Sequence, residues 1–392
     1  MPPSDDRLAR YVQRRQARLS SIGALRHVPA GTAQAWYVAG ELLVIDEQRR
    51  QVERYIAADR EVLTAAGDEE VVAGLRRYHV PGLDVPATVR AVRGALPAGA
   101  EAVAPNHVFL SNPFNHGGPY GPPIPFARST VPSRAGTGLV PVTIIDTGLW
   151  SDTALPTDCL RSGEVDYETQ TDADRDGLLD GDVGHANFIA GLIAAHSPKV
   201  ELSVIKVLDT FGVCTEADLV RAIGRIDPAT KLINLSLGGF TPGGVPPIGL
   251  RVALEGALSG ADRVVVAAAG NDANRTDPFW PAAFAGSRAR WSGQVVAVAA
   301  HDRTGLCDWS NAGPWVTLAA AGQDIQSTFI NDSEYFPEGW ALWSGTSFAA
   351  PRVVAEIAAR TDDQTGVRAA LDSFLRSVAT AGTTFGGYPA LV

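Results

Sequence analysis

The chain has 392 residues, 45% of them apolar and 19% charged, with a formal net charge of −10. That length suits one large domain with a smaller one beside it, and the apolar share is ample for a substantial core. The acidic balance excludes an electrostatically bound nucleic acid as a partner, and no run of about 18 apolar residues is present to span a membrane.

Residues 1–34 read as a helical extension, with Arg14, Arg15 and Arg18 on a solvated face among acids and alanines. The first 30 residues lack the apolar segment of a secretory signal. Three cysteines, Cys159, Cys214 and Cys307, fit a reducing compartment better than a disulfide framework. A cytoplasmic location is therefore expected, with export by another route as the alternative.

A small α+β domain is expected over 35–110. It opens with a strand over 36–45 and a helix over 47–58 that sets Val52, Tyr55 and Ile56 on one face. Strands over 62–65 and 71–80 follow. A second helix, 84–96, has Asp84 as its cap and Val85, Val89, Val92 and Leu96 at helical spacing. The closing strand is 101–109, and the order β-α-β-β-α-β is the ferredoxin-like split motif. Residues 111–139, which include Gly117-Gly118-Pro119-Tyr120-Gly121-Pro122-Pro123, form a linker by composition.

The third region, 140–392, alternates buried apolar runs with helical segments. Strands are expected over 142–145, 201–207, 232–237, 263–268, 295–299 and 316–320. This pattern indicates an α/β fold, a parallel sheet with helices on both faces. In such sheets a site lies beyond the strand carboxyl ends, where Asp146, Ser236 and Asn271 fall. His185 opens a helix that is apolar nearly all round, which belongs in a core.

The most informative segment is Gly345-Thr346-Ser347-Phe348-Ala349-Ala350-Pro351. It places Ser347 before a helix expected over 348–359, with Pro351 in the first turn, the one position where its missing N–H removes no internal bond. A serine there sits among unpaired amide donors and the positive end of the helix dipole. A nucleophilic serine needs a base, and the base needs an orienting carboxylate. Taken singly, Ser347 is an N-cap, His185 a core histidine, Asp146 a turn cap and Asn271 a turn residue. Their joint order, Asp, His, Asn, Ser, is not a set of independent accidents.

Two lesser features remain. Asp172, Asp174, Asp176 and Asp180 space carboxylates as a calcium loop does, with Gly177 in the sixth place but Val183 where a bidentate glutamate belongs. The alternatives are a structural Ca²⁺ site and a solvated acidic turn. Cys214 reads as a small packed hydrophobe, with thiol sensitivity as the sharper alternative.

These motifs resemble the subtilisin-type serine peptidases, the subtilases. The matching pieces are Ile145-Asp146-Thr147-Gly148, Gly184-His185, Ser236-Leu237-Gly238-Gly239, Ala268-Ala269-Gly270-Asn271, Trp309-Ser310-Asn311 through Gly322 and on to Ile325-Gln326-Ser327-Thr328, and the Ser347 block. One departure is Ala186-Asn187-Phe188 where the family usually has Gly-Thr-His; a helical alanine leaves the imidazole in place, while Phe188 is expected to alter how the site meets substrate or a neighbouring loop.

The resemblance implies a subtilisin-like fold and a serine endopeptidase acting on polypeptides, with no cofactor required. Asp146, His185 and Ser347 would form its triad, and Asn271 with the Ser347 N–H its oxyanion hole. Extended substrate would lie between Gly212-Val213-Cys214 and Ser236-Leu237-Gly238. Gly238, Ala268, Ala269 and Gly270 would line the pocket for the residue before the scissile bond, with Phe279 at its floor. Ala102-Val103-Ala104-Pro105-Asn106 resembles the end of a subtilase propeptide, which implies that 35–110 acts as an intramolecular inhibitor and folding aid. The alternatives are a generic α+β domain of unrelated role, a permanently covered peptide-binding or regulatory module, and a maturation peptidase dedicated to one partner.

Overall fold

In the computed structural model the described residues are 24–56, 67–96, 99–111, 123–173, 175, 177, 179–332 and 334–392. Within the N-terminal domain, β1 (Leu25–Ala30) and β2 (Ala33–Ile45) form a hairpin, followed by α1 (Arg49–Ile56), β3 (Gly67–Val72), β4 (Leu75–His79), α2 (Val85–Ala95), the single turn α3 (Gly99–Ala102) and β5 (Val103–Leu110). The strands pair antiparallel in the order β5-β2-β4-β3, which is the ferredoxin-like arrangement, with β1 added against the first half of β2.

Several expectations change at this level. The helical extension ends in a strand, β1; its residues up to 23 lie outside those described. The strand expected over 62–65 lies outside them too. The run 71–80 is not one strand but the end of β3, a turn and β4, because Gly74 takes φ +86° and turns the chain between Val72 and Leu75. Helix α2 is capped as expected, with the Ala87 N–H donating to Asp84 Oδ1 at 3.0 Å. On α1, Val52 and Ile56 are buried but Tyr55 is 44% exposed, since so short a helix buries only one narrow ridge.

Both faces of this small sheet are covered. Leu42 and Val44 of β2 pack with Val85, Val89 and Val92 of α2, whereas Leu43 between them packs with Ala217 and Val220 of the larger domain. The period of two along a strand sends alternate side chains to opposite cores.

The larger domain contains β6 (Ile124–Pro125), β7 (Val140–Asp146), β8 (Leu160–Val165), α4 (His185–His196), β9 (Val200–Lys206), β10 (Val213–Thr215), α5 (Glu216–Gly224), β11 (Leu232–Leu235), α6 (Ile248–Leu258), β12 (Val264–Ala268), β13 (Val295–His301), β14 (Leu318–Ala321), β15 (Ile325–Thr328), β16 (Trp340–Trp343), α7 (Thr346–Arg360), α8 (Val367–Ala381), β17 (Thr384–Phe385) and β18 (Tyr388–Leu391). Its main sheet runs β17-β18-β14-β13-β12-β11-β7-β9-β8 and is parallel except for the β17–β18 pair.

Val264 and Val266 face the core shared with α4, α7 and α8, while Val265 and Ala267 face the one shared with α5 and α6. All six strands expected here are present, because a strand buried on both sides writes a continuous apolar run. The second half of the linker is not free: β6 pairs antiparallel with β16.

Candidate active site

Strand β7 ends at Asp146, whose Oδ1 accepts from His185 Nδ1 at 2.7 Å and from the Thr147 N–H at 2.8 Å. Both side chains are fully buried. Helix α4 starts at His185 because Gly184 has φ +81° and because a side chain there would strike the Phe329 ring. The Thr147 hydroxyl accepts from the Ala186 N–H at 3.1 Å, fastening the helix start to the strand end. The imidazole stands edge-on to Trp343 at 5.5 Å and tilted against Phe348 at 5.4 Å. With Nδ1–H given to Asp146, the lone pair of the ring lies on Nε2.

Helix α7 begins at Thr346, two residues earlier than the apolar pattern suggests. Ser347 is thus its second residue rather than its cap, and Pro351 lies inside the helix rather than in its first turn. The Ser347 Oγ sits 3.2 Å from the Ser236 carbonyl oxygen and 3.4 Å from that of Ser111. Asn271 lies just past β12. Its Oδ1 accepts from the Thr346 N–H at 2.9 Å and from the Thr346 hydroxyl at 2.8 Å. A carbon built at Gly345 would sit 3.6 Å from Asn271 Nδ2, so this donor faces the segment that carries the serine.

Strand β5 does not stop at the small domain. It pairs antiparallel with β10, Phe109 opposite Cys214 and Val108 opposite Thr215. Leu110 exchanges two backbone hydrogen bonds of 2.9 Å with Gly238, and the Ser111 N–H donates to the Gly212 carbonyl at 2.9 Å. The two edges expected to hold substrate, Gly212 to Cys214 and Ser236 to Gly238, therefore hold residues 108–111 of the same chain. Gly212 has φ +71°, and a side chain on it would collide with Ser111 Oγ and Asp182.

The Phe279 ring is wedged between Gly238 and Gly270, close enough to each that a β-carbon could not be added. Ala268 and Ala269 are buried beside it. Phe188 corrects an expectation: it is fully buried, 4.4 Å from Phe348 and edge-on to Trp343, and so packs beneath the site rather than meeting substrate. Asn187 closes onto Trp150 through both amide atoms. Cys214 is buried, and desolvation pushes its thiol well above the ordinary range, which leaves it a packed, unreactive hydrophobe.

In the acidic loop, Asp174 and Asp176 lie outside the described residues. Asp172 Oδ2 accepts from the Gly177 N–H at 2.9 Å, and Asp180 Oδ2 from the Ala173 N–H at 2.8 Å and the Thr210 hydroxyl at 2.6 Å. Those carboxylates close the turn themselves, and no group of three metal-binding side chains converges among the described residues.

Contacts that the sequence did not announce secure the small domain. His107 Nδ1 and Glu216 Oε2 are 2.6 Å apart and buried. Asn106 donates to Glu41 at 2.6 Å and accepts from the Ala217 N–H at 3.0 Å. At the β1–β2 turn, the N–H and hydroxyl of Thr32 reach Asp277 at 3.2 and 3.3 Å. Glu216 looks in sequence like an ordinary acid in a first helical turn, and Ser111 like the start of a linker. Their partners are more than 100 residues away, beyond any local pattern.

The carboxyl edge of this parallel sheet brings Asp146 against His185, and Ser347 stands at the start of α7. A model of the subtilase family matches residues 137–366. The chain is 29% identical over 385 residues to a thermophilic serine proteinase of Bacillus sp. (strain AK1), covering 89% of this chain and 85% of that one. It is 30% identical to proteinase T of Parengyodontium album over 57% of this chain and 71% of the other. Among solved structures, a cold-adapted subtilisin-like serine proteinase matches with TM-score 0.47 and 20% identity, over 67% of this chain and 90% of that one. The chain belongs to the subtilase family and is a subtilisin-like serine endopeptidase. Catalysis in this family needs no cofactor.

Proposed function

We propose that the protein is a self-inhibited precursor of a serine endopeptidase, with Ser347 as nucleophile, His185 as general base and acid, and Asp146 as the group that orients the imidazole. Ser347 Oγ attacks a peptide carbonyl carbon while His185 Nε2 takes its proton. The oxyanion is received by Asn271 Nδ2 and the Ser347 backbone N–H, which lies among the helix-start donors that have no intrahelical partner. Collapse passes the proton from His185 to the leaving amine and leaves an acyl-enzyme. Water, deprotonated by the same imidazole, then releases the new carboxyl end and restores Ser347.

The observation that carries this reading is the strand 108–111, held between β10 and Gly238 with the Ser111 carbonyl 3.4 Å from Ser347 Oγ. Main-chain pairing of this kind is how extended peptides add to an exposed edge. The small domain thus acts as an intramolecular inhibitor, occupying the place of substrate. The test is a comparison of intact masses of wild type and Ser347→Ala. A wild-type fragment cut near residue 110 or in the linker that follows, and absent from the variant, is expected. An uncut wild type that also fails to label with a fluorophosphonate would sink the reading.

Two finer points belong to the same proposal. Phe279 fills the space between Gly238 and Gly270, so the pocket before the scissile bond takes small side chains; a peptide panel varied at that position should favour Ala or Ser, and a preference for Phe or Tyr would refute it. A reducing, cytoplasmic location is supported by three free, buried cysteines. Appearance of the protein in culture medium with its thiols oxidised would count against it.

A further inference from the structure

We propose that the Ser236 hydroxyl is a positioning residue for the nucleophile: it replaces the backbone N–H that Pro351 removes from α7, and so ties Ser347 to the central sheet. The inference rests on the reading of Ser347 as nucleophile and adds to it.

In an α-helix each carbonyl is paired with the N–H four residues on. The residue four beyond Ser347 is Pro351, inside α7, and it has no N–H to give. The Ser347 carbonyl is therefore deprived of its helical donor in a segment where every residue from Thr346 to Pro351 is buried. A buried carbonyl left in that state is costly, and another donor is needed.

Ser236 supplies it. Its Oγ donates to the Ser347 carbonyl oxygen at 2.9 Å. The donor direction is set from behind, because Asn234 Nδ2 donates to the same hydroxyl oxygen at 2.9 Å and leaves its proton for Ser347. The backbone carbonyl of Ser236 in turn lies 3.2 Å from Ser347 Oγ. Two residues thus hold each other twice, through hydroxyl and carbonyl in each direction.

The consequence is mechanical. An ordinary residue at 351 would hold the Ser347 carbonyl through its own helix. With proline there, the carbonyl is held by Ser236, the residue just past β11, and β11 lies between β7 and β12. Those neighbours carry Asp146 and lead into Asn271. The hydroxyl therefore ties the nucleophile to the frame that carries its partners, and catalysis is sensitive to misplacement of that order.

The test uses the full-length chain after self-processing, with active sites counted by fluorophosphonate titration and turnover of fluorescein-labelled casein expressed per titrated site. Ser236→Ala should lower kcat about tenfold or more while KM stays within about twofold. The pH profile of kcat/KM should keep its apparent pKa, since the His185–Asp146 pair is untouched. Pro351→Ala alone should keep the wild-type rate. Ser236→Ala/Pro351→Ala should recover most of the loss, because the new N–H at 351 can pair with the Ser347 carbonyl. Equal turnover of Ser236→Ala and wild type, or no recovery in the double variant, would overturn the proposal. Should Ser236→Ala fail to fold, the double variant decides: recovered folding and turnover support the assignment, and failure of both rejects it. A wild type with no titratable serine would instead remove the nucleophile assignment itself, and this inference with it.

Discussion

Asn271 shows how much one side chain does at this site. Its Oδ1 is committed to the N–H and hydroxyl of Thr346, so its Nδ2 has a fixed direction. In the proposed mechanism a donor pre-aimed at developing charge needs no reorganisation, and Asn271→Ala should lower kcat about 10²–10³-fold, measured by casein turnover per titrated site. A loss below about threefold would remove Asn271 from the mechanism.

His301 makes a different kind of prediction. Its ring is buried, with Nε2 2.8 Å from the Leu391 carbonyl oxygen and Nδ1 accepting from the Arg303 N–H at 3.0 Å. Both contacts suit the neutral ring, and desolvation lowers its pKa below the ordinary value. A base with a lowered folded pKa binds protons more tightly when unfolded. Its stabilising share is whole above the unfolded pKa of about 6.5 and is lost as pH falls from there towards the folded value. Melting temperature should accordingly fall between pH 7 and pH 5, and His301→Gln should show a shallower fall.

At the scale of elements, the docking of β5 is governed by α5. The start of that helix presents Glu216 to His107 and the Ala217 N–H to Asn106, fixing the strand two residues before it enters the groove. Truncating one partner of a buried charged hydrogen bond is costly because the other is stranded. Glu216→Gln should therefore speed the appearance of titratable active sites in the full-length chain by about tenfold. An unchanged rate would show that the β-pairing alone holds the small domain.

The same scale explains what was legible beforehand. The six buried strands of the parallel sheet were readable as apolar runs, and α2 as a capped amphipathic helix. The β3–β4 hairpin was not, since apolar residues continue across its turn. The start of α7 was misplaced by two residues because proline normally marks a first turn. Here the helix tolerates it in the interior, with Ser236 satisfying the orphaned carbonyl.

For the molecule as a whole, the two domains share a core. Leu43, Ala104 and Phe109 of the small domain pack with Ala217, Val220 and Leu237 of the large one. In the acidic loop between Asp146 and His185, Gly177, Ala173 and Thr210 donate to Asp172 and Asp180, and no group of three metal-binding side chains converges among the described residues. Chelator titration should leave the melting temperature within about 1 °C; a fall of about 5 °C or more would place a stabilising cation on the fold. Among the described residues no helix is long and apolar enough to cross a membrane.

Residue types in a fixed order were enough to name the family and the parallel sheet, and to bring Asp146, His185, Asn271 and Ser347 forward as candidates, because buried strands and glycine-bounded turns leave local marks. Sequence could not tell which segment fills the groove, that Ser236 answers Pro351, or that Phe188 packs against Phe348. Those facts join residues roughly a hundred or more positions apart, and only the register of paired backbones and the packing of one core against another fixes them.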